Sequence, residues 1–127
     1  MIKEGTLILI EKANSNLESA TILLSAKRMH PDTIAFLLQQ AIEKYLKAFL
    51  AHHGEGYPKV HDLFVLLHHC QELDTDFEVI DTEDFDILNF YAVAGRYSDE
   101  MMADREDIER FQKTAQQCKE LIERKIT

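Results

Sequence analysis

Apolar side chains recur at intervals of three and four along most of this chain, and glycine and proline seldom interrupt them. That spacing stacks residues on one face of a helix. The densest instance is Ala41-Ile42-Glu43-Lys44-Tyr45-Leu46-Lys47-Ala48-Phe49-Leu50. Apolar residues cover most of its circumference, while Gln40, Glu43, Lys44 and Lys47 fall along one polar edge. Such a helix is expected at the centre of the fold, with its polar edge turned to solvent, a partner chain or a ligand. With four glycines and two prolines in 127 residues, helices joined by short turns are favoured throughout.

The periodicity predicts five helices. The first covers about residues 4–28, with Leu7, Ile10, Ala13, Leu17, Ala20 and Leu24 as its stripe. His30-Pro31-Asp32-Thr33 ends it and opens the second, since proline suits a first turn and Asp32 places negative charge at the positive end of the helix dipole. The second helix runs to about His53, and Gly54-Glu55-Gly56-Tyr57-Pro58 is the clearest loop. The third begins near His61 or Asp62 and carries Leu63, Leu66, Leu67, Cys70 and Leu73. Residues 74–83 are acidic, lack a stripe and read as a connection. Phe85, Leu88 and Ala92 mark a fourth helix over about 83–94. Gly95-Arg96-Tyr97-Ser98-Asp99 reads as a turn. The last helix, about 104–126, has the cleanest period: Ile108, Phe111, Ala115, Cys118 and Ile122. The expected fold is all-α, an antiparallel up-and-down bundle forming one domain over residues 1–127.

Composition narrows the function. A formal charge of −9 repels phosphate backbones, so non-specific nucleic-acid binding is not expected. No apolar run approaches the roughly 20 residues of a membrane span. The N-terminal residues lack the basic start and cleavage site of a signal peptide, so a cytoplasmic location is expected. Cys70 and Cys118 sit at apolar helical positions and read as buried free thiols. His52-His53 and His68-His69 are neighbours in sequence, about 100° apart on a helix, and cannot chelate together. No metal and no cofactor are expected.

The order Ala41-x-Glu43-Lys44-x-Leu46-Lys47-Ala48, a Gly-containing loop, His61-Asp62-Leu63-x-x-Leu66-Leu67, then Arg96-Tyr97-x-Asp99 before a last amphipathic helix resembles the HEPN family. No single motif carries the likeness; their order and spacing do, over nearly the whole chain. The resemblance implies a small antiparallel bundle that dimerises through helix faces. It also implies a minimal nucleotidyltransferase as partner, in a complex or a toxin–antitoxin pair. Some members are metal-independent ribonucleases whose site is an arginine followed four to six residues later by a histidine. This chain departs from that pattern: residues 100–103 are Glu-Met-Met-Ala, and no histidine follows His69. Arg28 precedes His30 too closely, and Arg105 and Arg110 have no histidine partner. No catalytic residue is assigned.

The remaining candidates serve phosphate or nucleotide binding. Arg96 offers a bidentate grip on phosphate and Tyr97 a ring or hydroxyl for a base; the structural alternative pairs Arg96 with Asp99 or Glu100. Lys44 and Lys47, with Glu43, join that pocket if the second and fourth helices adjoin, and otherwise form a solvated edge with intrahelical pairs. Glu43 can equally be a buried partner of an arginine. His61 and Asp62 cap a helix in the structural reading, and His61 is a general base in the catalytic one. The leading expectation is a non-catalytic homodimeric module that partners a minimal nucleotidyltransferase and recognises a nucleotide near Arg96 and Tyr97. Two alternatives stand beside it: a divergent ribonuclease toxin, and a purely structural interaction protein.

Overall fold

The computed structural model describes residues 2–54, 56–93 and 103–126. Among them are five α-helices, one 3-10 helix and no strand. The α-helices are α1 (Glu4–Leu24), α2 (Pro31–His52), α3 (Leu63–Leu73), α4 (Phe85–Phe90) and α5 (Arg105–Ile126); the 3-10 helix is Thr75–Val79. No helix among these residues is long and apolar enough to cross a membrane.

α2 is the hub, as its wide apolar face requires. Ile34, Leu38, Ile42, Tyr45, Leu46 and Phe49 are all within 1% of complete burial. α1 runs against it, joined by Tyr45 Oη donating to Asn14 Oδ1 at 2.5 Å. α5 lies against α1, with Gln112 Nε2 donating to Thr21 Oγ1 at 2.8 Å and Arg105 Nη1 to the Leu24 carbonyl at 3.2 Å. α2 and α5 therefore run the same way.

The return strokes between them are partly irregular. Residues 56–62 come back along α2, bringing Tyr57 beside Lys47 and His61 beside Glu43. α3 then runs with α2, and Cys70 Sγ contacts the Leu46 carbonyl at 3.6 Å. Residues 74–90 descend along α5: Lys125 Nζ meets Asp74 at 2.9 Å, Gln117 Nε2 donates to the Val79 carbonyl at 2.9 Å, and Arg110 grips Asp84 at 3.1 Å. The up-and-down bundle is thus completed by an extended segment and by a 3-10 turn with a six-residue helix.

Several boundaries move. α1 stops at Leu24 instead of near 28, because the Ser25 amide and hydroxyl both turn back onto the Ile22 carbonyl, at 3.2 and 2.8 Å. Within α1, Leu7 is 42% exposed and Thr6 is buried. Two successive steps of three, from Leu7 to Ala13, rotate about 120° away from the buried face, whereas the step of seven from Thr6 returns to it. The connection 74–83 contains the 3-10 helix, whose three-residue repeat turns Phe77 and Ile80 inward, at 0% and 4% exposure. α4 spans only Phe85–Phe90, not 83–94. At α5, Asp104 and Asp107 each accept the other's amide, at 2.8 and 2.9 Å, a reciprocal cap that starts the helix.

Candidate functional site

Glu43 projects from the middle of α2 and is only 4% exposed. A buried carboxylate is costly unless donors surround it. Three do. Gln39, one turn earlier, donates Nε2 to Oε1 at 3.0 Å; Lys47, one turn later, donates Nζ to Oε2 at 2.9 Å; His61 places Nδ1 at 3.0 Å from Oε1 and 3.2 Å from Oε2. Burial alone would raise the Glu43 carboxyl, but the hydrogen bonds from Gln39 and Lys47, with the charge of Lys47, pull it below its ordinary value. Glu43 is therefore an anion and an acceptor only, so the His61 nitrogen facing it carries a hydrogen.

The loop before α3 is pinned to this carboxylate. Gln39 Nε2 also reaches the His61 carbonyl at 3.4 Å, and Gln40 Nε2 holds Gln39 Oε1 at 2.7 Å. Asp62 caps α3 by accepting the Phe64 amide at 2.9 Å. Asn89 on α4 grips the same point, donating Nδ2 to Asp62 Oδ1 at 3.0 Å and accepting the Leu63 amide at 2.9 Å. The His61 ring remains 64% exposed, and its Nε2 has no partner among the described residues.

The two lysines do not share a site. Lys47 is 11% exposed at its side chain, ion-paired to Glu43, with Nζ 5.3 Å from the Tyr57 ring centre. Lys44 turns to α1, where Nζ donates to Asn16 Oδ1 at 2.8 Å; its ammonium is held below the ordinary lysine range by burial. The polar edge read from sequence is split by the bundle, with Glu43 and Lys47 on one side of α2 and Lys44 on the other.

Arg96, Tyr97 and Asp99 lie outside the described residues. The residues that flank them are joined: Tyr91 Oη donates to Asp32 Oδ1 at 2.8 Å and accepts the buried Ala103 amide at 3.0 Å. Thus the end of α4, the first turn of α2 and the approach to α5 meet at one hydroxyl. No group of three or more His, Cys, Asp or Glu among the described residues is placed to hold a metal ion.

Sequence reasoning missed Gln39, Asn89 and Tyr91. Gln39 carried a signal, lying four residues before Glu43 on the same helical face. Asn89 acts across 26 and 27 positions and Tyr91 across 12 and 59, and no local pattern marks them.

No curated protein and no solved structure matches this chain. Residues 6–125, nearly all of it, match the family described as the HEPN domain. With that match and its helical bundle, the chain belongs to the HEPN domain family.

Proposed function

We propose that this chain is a homodimeric HEPN binding module that partners a minimal nucleotidyltransferase, as one component of a toxin–antitoxin pair, and recognises the phosphate of a nucleotide through Arg96 and Tyr97 without breaking a bond. The observation that carries this reading is the family match over residues 6–125 in a chain with no histidine after His69. The arginine of a nuclease pair is available, and its imidazole four to six residues on is missing. An arginine without that acid–base partner still binds phosphate through two parallel hydrogen bonds.

Two measurements test it. Affinity purification of the tagged protein from its own cells should bring down a nucleotidyltransferase; recovery of the chain alone, or with unrelated proteins, removes the partnership. Thermal denaturation with ATP, CTP, GTP or UTP should show stabilisation of about 2.7 kcal/mol at a hundredfold excess over Kd, and Arg96→Ala should abolish it. Indifference to all four nucleotides leaves an interaction protein with no ligand.

The divergent ribonuclease is a second reading, favoured by one observation. The Glu43–His61 hydrogen bond is the arrangement that orients a catalytic imidazole, with the carboxylate on Nδ1 and Nε2 exposed. Arg96-dependent cleavage of RNA without metal would promote this reading over the first.

A further inference from the structure

We infer that the groove between α5 and residues 75–84 docks a basic amphipathic helix presented by another protein. Two cavities of about 740 and 560 Å³ lie end to end along α5, and Gln117 and Glu120 line both. Together they reach from Arg110 to Arg124, a rise of about 21 Å, or about four helical turns. The groove uses none of Arg96, Tyr97 or Glu43, so it stands or falls apart from the nucleotide reading.

Its walls favour side chains over backbone. Val79 stands on one lip, 60% exposed, although Phe77 and Ile80 beside it are buried. Leu121 lines the same cavity from α5. The backbone of the lip is already satisfied: Gln117 donates Nε2 to the Val79 carbonyl at 2.9 Å and accepts the Asp81 amide at 3.3 Å. An added strand would find both groups taken, whereas a helix needs no backbone partner and offers an apolar stripe.

Charge selects the occupant. Residues 74–86 hold seven carboxylates and neither lysine nor arginine. Two cations of α5 are engaged by three of them: Lys125 pairs with Asp74 and Asp76, and Arg110 with Asp84. Glu78, Asp81, Glu83 and, on α5, Glu120 have no lysine or arginine within ion-pair distance among the described residues. Lys113 and Arg124 line the α5 side, so the acidic wall is the one built by residues 78–83. The complement is an apolar side chain set against Val79 and Leu121, with lysine or arginine beside it facing that wall. A second copy of this chain, at net charge −9, would bring like charge to it.

The probe is a synthetic helical peptide of about 18 residues, long enough to span the groove, with leucine on one face and lysine on the other. Its binding is read by fluorescence anisotropy and by amide chemical shifts of the protein. The lysine peptide should bind and move the resonances of Val79, Gln117 and Glu120; the same peptide with glutamate for lysine should not bind. Val79→Ser and Glu120→Lys should each weaken binding about tenfold. Ile22→Ser and Glu11→Lys on α1 remove another exposed apolar side chain and reverse another exposed carboxylate, and should leave affinity unchanged. All four change exposed side chains, so each should keep the wild-type helical circular dichroism. No binding of the lysine peptide, equal binding of the glutamate peptide, or shifts confined to another face overturns the inference. Equal weakening by the α1 variants also overturns it, because the attraction would then be diffuse. So does a homodimer that Val79→Ser dissolves in sedimentation, since the groove would then hold a second copy.

Discussion

Replacing Glu43 with alanine would leave the Lys47 ammonium buried beside the Tyr57 ring with no counter-ion, and would free the His61 ring from α2. Breaking a buried pair from one side typically costs about 3–5 kcal/mol, so urea unfolding of Glu43→Ala should lose about that much. A loss under about 1 kcal/mol would show that the cluster contributes little to stability. Acidity gives a second handle. The Glu43 carboxyl titrates below its ordinary value of 4.5 in the folded chain, so the unfolded chain takes up the proton first as pH falls. Its contribution is complete above the unfolded value and disappears as pH drops through the folded one. Unfolding free energy should therefore fall less steeply below about pH 4.5 in Glu43→Gln than in wild type. Parallel slopes would mean that other carboxylates, such as Asp74 and Asp107, carry the acid dependence. Little of this was visible in the sequence. Glu43 and Lys47 are neighbours on any helix, but the contact to His61 spans 18 positions and depends on the path of residues 56–62.

At the scale of elements, the Tyr91 hydroxyl joins α2 to the approach of α5 through Asp32 and the buried Ala103 amide. Tyr91→Phe removes that oxygen with little change in shape and leaves a buried amide without its acceptor. Stability should fall by about 1–3 kcal/mol, read by chemical denaturation, while the helical circular dichroism stays unchanged. A variant as stable as wild type would show that the hydroxyl is dispensable. Elements were legible where one period held throughout. Ile108, Phe111, Ala115, Cys118 and Ile122 of α5 are all buried as their spacing requires. Legibility failed where the period changed. Phe77 and Ile80 turn inward through a 3-10 repeat of three, which a search for the 3.6-residue period passes over. Leu7, placed on the buried stripe, is exposed because two steps of three walk that stripe around α1.

For the whole molecule, one contiguous core runs from Ala13 on α1 to Ile126 on α5, and both cysteines lie inside it. Burial pushes both thiols up, Cys118 to about 12, and leaves neither in contact with solvent. Thiol labelling of the native protein should wait on global opening, running about a thousandfold or more slower than in denaturant. Fast labelling under native conditions would show that the core opens locally. The fold class was readable because few glycines and prolines interrupt the helical spacing. The site was less so, because its candidate cations lie on different faces and in different segments. The proposed function requires that this HEPN bundle hold phosphate without cutting it. Incubating purified wild type and Arg96→Ala with RNA in the absence of metal tests that most directly. RNA should stay intact with both proteins; cleavage by wild type that disappears in Arg96→Ala would overturn the non-catalytic proposal.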